Sequence, residues 1–108
     1  MRRFPSLLML MSFLATTQLY AQTAGDAVTG RRIVQVRCAG CHSLSPGTSG
    51  VTAPSFPDIA RNAVKTEDHL RNWLARPHAP MPDYMLSQDE IDDIIAFLHT
   101  LEKSAPDL

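Results

Sequence analysis

Cys38-Ala39-Gly40-Cys41-His42 is the densest concentration of reactive side chains in the 108-residue sequence, and it holds both of the chain's cysteines. Two thiols three residues apart on a helical turn lie on nearly one face, and an imidazole follows directly. Each thiol can bond one vinyl group along the same edge of a porphyrin, which brings His42 under the metal. C-x-x-C-H is the attachment pattern of a c-type haem. Small Ala39 and Gly40 let the backbone approach a flat ring closely. The rival chemistries lack support. A thioredoxin-like pair needs a βαβ context, and no strand pattern is present. Structural zinc needs about four ligands, and His69, His78 and His99 do not pair at finger spacing. An inert disulfide is the simplest alternative, and the adjacent His42 together with an export signal argues against it.

The elements that position this motif read as helices. The first is predicted from Asp26, a capping residue, to Cys41, with Val28, Ile33, Val34 and Val36 as a loose apolar face. The second is predicted over Thr66–Arg76, where Leu70, Trp73 and Leu74 form one stripe and Pro77 forces a stop. The third runs from Ser87 to about Lys103. Ser87 and Glu90 form a capping-box pattern, and Ile91, Ile94, Ile95, Leu98 and Leu101 share a face. Residues 43–65, with Pro46, Gly47, Gly50, Pro54 and Pro57, read as mostly irregular. Residues 77–86, with Pro77, Pro80 and Pro82, read as an extended loop. Ser104 to Leu108 are expected to fray. The expected fold class is all-α.

Arg2 and Arg3 precede an almost wholly apolar run, Leu7–Ala15, and small or polar residues lead to Leu19-Tyr20-Ala21. That order predicts a signal peptide over residues 1–21 and a domain over 22–108. The run of about nine apolar residues is short of the roughly 20 that a membrane span needs, so retention as an anchor is the weaker alternative. Losing Arg2 and Arg3 takes the formal charge from −1 to −3, with eight Lys and Arg against eleven Asp and Glu. That balance speaks against nucleic-acid binding. The acidic group Asp89, Glu90, Asp92 and Asp93 reads as a solvated helix start that complements the helix dipole. A domain this small buries little apolar surface, and two cysteines so close together cannot close a long stabilising loop. Something else must fill the core.

With these residues in place, the chain resembles the small bacterial single-domain cytochromes c, monohaem proteins with His/Met-ligated iron. The resemblance covers most of 26–103. It implies a cytochrome c-like fold of about three main helices around one covalent haem c. Gly30 and Phe97 stand where the family packs a glycine of the first helix against an aromatic residue of the last. Met81-Pro82-Asp83-Tyr84-Met85-Leu86-Ser87 resembles the ligand loop. The resemblance thus implies Cys38 and Cys41 as haem attachment points and His42 and Met81 as axial ligands, with Met85 and then His78 as rivals to Met81. It implies that a proline carbonyl accepts from the other ring nitrogen of His42. Ala53-Pro54-Ser55-Phe56 resembles that segment, and Pro54 is preferred to Pro57. Trp73 and Tyr84 are candidate partners for a haem propionate or ordinary core-edge residues. Arg71 and Arg76 are further candidates, and His69 and His99 read as surface residues.

The expected function is a periplasmic one-electron carrier cycling Fe(III)/Fe(II), not an enzyme, with donor and acceptor proteins as partners. The alternatives are an electron-transfer subunit of a larger dehydrogenase or oxidase, and, ranked last, a ligand-binding or peroxidatic haem protein. After cleavage of residues 1–21 no transmembrane span is expected. Protein exported by cells that make c-type haem should therefore have an intact mass equal to residues 22–108 plus one haem. That mass should survive acid–acetone extraction; haem that extracts, or none at all, contradicts the reading.

Overall fold

The computed structural model describes residues 24–47, 53–76 and 78–104. The signal peptide read over 1–21, the stop at Pro77 and the fraying of residues 105–108 lie outside the described residues.

Helix α1 spans Ala27–Arg37. Its N-terminus is capped by Asp26, whose carboxylate accepts from the Thr29 N–H at 2.6 Å, satisfying a donor with no partner inside the helix. It ends at Arg37, with Cys38 as its C-cap, one turn short of the predicted Cys41. Helix α3 spans Glu67–Ala75 behind a Thr66 cap. Arg76 already has extended backbone, φ −127° and ψ 132°, as the residue before a proline prefers. Helix α4 spans Gln88–Lys103. Its capping box is complete: the Glu90 N–H donates to Ser87 Oγ at 3.1 Å, and the Ser87 N–H donates to the Glu90 carboxylate at 2.9 Å.

Between them lies a fourth helix, α2, Phe56–Arg61, inside the stretch that reads as irregular. Its Pro57 occupies the first turn, where proline's missing N–H costs nothing. Ser55 caps it, accepting from the Asp58 N–H at 3.2 Å and donating to the Asp58 carboxylate at 2.6 Å. Ser55-x-x-Asp58 with a proline between is a helix-start signal, and reading that proline only as a breaker misses it. The described residues form no strand, and none of their helices is long and apolar enough to cross a membrane.

Helix α4 is central. The backbones of α1, α2 and α3 each approach it and do not approach one another. It buries Ile91, Ile94, Ile95, Phe97 and Leu98, each worth about 1.5–3 kcal/mol against exposure. Val34 of α1 and Phe56 of α2 complete the core with Cys38, and Leu101 packs against it half-buried. The α1–α4 crossing is tight. A Cβ on Gly25 would run into the Asp92 backbone, and one on Gly30 into the Asp93 carbonyl, with Ile94 N beside it. The resemblance pairs Gly30 with Phe97; the atoms nearest to Gly30 are this α4 main chain, one turn before Phe97.

The acidic group at the start of α4 is not simply solvated, which corrects the sequence reading. Glu90 pairs with Arg37 of α1 at 3.0 Å. Asp93 accepts from the Asp26 N–H at 2.6 Å. Asp92 pairs with Arg71 of α3, which also holds Glu67 at 2.8 Å. These carboxylates fasten α1 and α3 to α4.

Two outcomes follow from this packing. Gly30→Ala should lower the stability of the holoprotein by about 1–3 kcal/mol through overpacking, read as an earlier urea midpoint. Acid should do the same. The Thr29 N–H holds the Asp26 carboxyl below its ordinary 3.8, and the Ser87 N–H, then Arg37, hold the Glu90 carboxyl below its ordinary 4.5. A carboxyl depressed in the folded state stabilises fully above its unfolded value and loses that contribution as pH falls through the folded one. The urea midpoint should hold steady down to about pH 5 and fall below it, and Glu90→Gln should blunt the fall.

Candidate functional site

The end of α1 delivers the two thiols. The Cys38 and Ala39 N–H groups both donate to the Val34 carbonyl at 2.9 Å. The Cys38 carbonyl then accepts from the N–H of Cys41 at 3.1 Å and of His42 at 2.9 Å. The motif therefore occupies one further turn beyond the helix rather than the helix itself. Both thiols are free; Cys38 is buried and Cys41 exposed. Burial pushes the Cys38 thiol above its ordinary pKa, with Arg37 opposing. Ala39 and Gly40 are exposed, and nothing lies within 4 Å of the place a Gly40 Cβ would occupy.

Two hydrogen bonds draw the segment after the motif against the start of α2. The Phe56 N–H donates to the Ser43 carbonyl at 2.8 Å, and His42 Nδ1 lies 2.8 Å from the Pro54 carbonyl oxygen. A carbonyl can only accept, so Nδ1 carries the proton and the lone pair is on Nε2. Phe56 supports the ring from the side, its centroid 5.5 Å from that of His42, and Phe97 of α4 lies 6.3 Å beyond it. Phe56 is a site residue that the sequence reading quotes only as part of the segment around Pro54.

Further lining of the same cavity comes from α3 and the loop 78–86. The Met81 N–H donates to the His78 carbonyl at 2.7 Å, and both side chains line the cavity. Met85 does not. It is 86% exposed, with left-handed backbone, φ 49°, held by an N–H bond to the Asp83 carboxylate at 2.8 Å. Trp73 is half-exposed and sits between two imidazoles, His69 stacked at 5.4 Å and His78 tilted at 4.4 Å. Lys65 Nζ lies 5.3 Å over its ring. His69 is thus not the surface residue expected; it is half-buried, and its Nε2 is buried without a partner. His69 and Trp73, four apart on a helix, could have been paired from spacing alone. Arg71 is committed to Glu67 and Asp92, which removes it as a propionate partner. His99 is exposed beside Glu67 and Glu102.

These walls enclose an open-sided, mostly apolar cavity of about 330 Å³, a size typical of cofactor sites. Cys38, Cys41, His42 and Pro54 line it, and so do Trp73, Met81 and Tyr84. Among the described residues, the charged groups on its wall are Arg37 and Lys65, and no carboxylate faces it. Two free thiols on one turn, an imidazole with Nε2 available and a mostly apolar space fit a covalently held haem.

Comparison with known proteins agrees. The family model described as cytochrome C oxidase, cbb3-type, subunit III matches residues 25–98. Cytochrome c-552 of Bradyrhizobium diazoefficiens is 35% identical over 80 residues, spanning 72% of this chain and 77% of that one. A cytochrome c-553-like protein of Synechocystis sp. is 30% identical over 78 residues, spanning 71% and 70%. No solved structure matches the chain. The chain belongs to the cytochrome c family, as a small monohaem class I member that carries covalently bound haem c and passes electrons between redox partner proteins.

Proposed function

We propose that this protein is a periplasmic one-electron carrier, exported by residues 1–21, and not an enzyme. The observation that carries the reading is the His42–Pro54 pair lining the same cavity as two free thiols. Bound haem c supplies reversible Fe(III)/Fe(II) chemistry. The rest is done by the chain. Cys38 and Cys41 would hold the cofactor by thioethers. His42 would bind the iron through Nε2, with the Pro54 carbonyl keeping its tautomer and raising its basicity. Met81 would supply the second donor, a weak, neutral thioether that favours Fe(II) and raises the potential. Trp73 and Tyr84, which also line the cavity, would take the haem propionates. With both donors in place no position would remain for a substrate, so the chemistry supplied would be outer-sphere electron transfer, and exposed Cys41 would mark where electrons pass.

A second reading has one observation in its favour. The matching family model is described as a subunit of an oxidase, which favours the electron-transfer part of a larger complex. Gentle purification from the native membrane fraction separates the two, because a free carrier elutes alone.

The assignment of Met81 has a direct optical test. A thioether bound to ferric haem gives a weak charge-transfer band at the red end of the visible spectrum. Met81→Ala should abolish that band and lower the potential. Met85→Ala should keep the band, and because Met85 is exposed its stability should change by no more than about 0.5 kcal/mol. Loss of the band in the Met85 variant and its survival in the Met81 variant would shift the loop register by one turn.

A further inference from the structure

One donor in the cavity has no part in this reading. His78 lines the wall beside Met81, and the Met81 N–H bonds the His78 carbonyl at 2.7 Å, so one turn carries both side chains. The imidazole of His78 is oriented. Its Nδ1 faces the Arg76 carbonyl at 3.4 Å, and the Trp73 ring lies against it at 4.4 Å. This is a looser version of the arrangement at His42, where Nδ1 faces the Pro54 carbonyl at 2.8 Å. In both cases the carbonyl selects the tautomer that leaves the Nε2 lone pair for a metal. The cavity thus offers two imidazoles and one thioether. Met85, the loop's other sulfur, points to solvent at 86% exposure.

We propose that His78 is a reserve axial ligand: when the Met81 thioether leaves the iron, His78 Nε2 takes the vacated position and keeps the site closed to small molecules. The proposal rests on Met81 being the resident ligand. One iron–sulfur bond breaks and one iron–nitrogen bond forms. No electron moves, and with Nδ1–H retained no proton moves either. Imidazole is the stronger donor to the oxidised metal and the thioether suits the reduced one, so the exchange belongs to the ferric state. The movement is local. Ala79, Pro80 and Pro82 around the two donors are exposed, so the turn can shift without uncovering the core. A methionine lost to oxidation would then leave a slower carrier of lower potential rather than a peroxide-reactive haem.

The test uses holoprotein with Met81→Leu, a volume-conserving change, alone and combined with His78→Phe. Phenylalanine keeps a ring against Trp73 but brings no nitrogen. Ferric Met81→Leu should be low-spin, and the double variant high-spin, with azide binding at least about tenfold tighter in the double variant. His78→Phe alone should keep the parent spectrum and its red band. A high-spin Met81→Leu protein with the azide affinity of the double variant overturns the proposal, as does a double variant that stays low-spin. If His78→Phe alone loses the parent spectrum while Met81→Leu retains it, His78 is the resident ligand and the Met81 reading falls with the proposal. Should Met81→Leu fail to fold, peroxide oxidation of the methionines in the parent and in His78→Phe gives the same comparison. Azide should then bind at least about tenfold tighter to the oxidised His78→Phe protein, and equal binding overturns the proposal.

Discussion

The closeness of α1 to α4 is the constraint from which the rest of the structure follows. At Gly30 of α1, and at Gly25 just before that helix, the chain lies against the α4 main chain with no room for a methyl group. That contact sets the direction in which α1 leaves α4, and so where its last turn places Cys38 and Cys41. A hydrogen bond and an ion pair fix the crossing at two levels, Asp26 N–H to Asp93 near the start of α1 and Arg37 to Glu90 at its end. The apolar contribution comes from Val34, fully buried against α4. Because glycine fits a crossing that any other side chain would force open, the geometry of the thiols depends on residues well before them in the chain.

The second wall depends on a different device. The hydrogen bonds from His42 and Phe56 span a gap of about a dozen residues and join the turn after α1 to the start of α2. Ser55, fully buried, both caps α2 and locks Asp58, so the carbonyl of Pro54 is presented from a rigid helix start. Phe56 then links the His42 ring to Phe97 of α4. An imidazole held this way has little freedom to reorient when the charge on a bound metal changes, which suits electron transfer.

Much of this was legible in the sequence, and the limits are physical. The caps at Asp26 and Ser87 are local signals, and each starts its helix where the side chain predicts, while Thr66, read as the first residue of the second helix, turns out to be its cap. The α4 stripe repeats over several turns and needs no tertiary information. The short α2 was hidden because it carries too few residues to show a period, and its proline read as a breaker. The acidic start of α4 was read as solvated because the partners of Glu90, Asp92 and Asp93 lie far away in the chain, at Arg37, Arg71 and Asp26. The Cys-x-x-Cys-His group was plain, since its chemistry depends on spacing within one turn. The supporting rings were not: nothing local says that Trp73 will meet His78 or that Phe56 will meet His42.

The backbones of α1, α2 and α3 meet α4 but not one another, and this star arrangement has a mechanical consequence. The spokes are fastened to the hub and not to one another, α1 at both of its ends and α3 through Arg71 and Asp92. Residues of all three line the cavity, so a haem held there would join helices whose backbones otherwise meet only α4, and a push on one would be shared by the others. Stiffness of the metal environment is therefore a property of the loaded molecule as a whole rather than of any single contact within it.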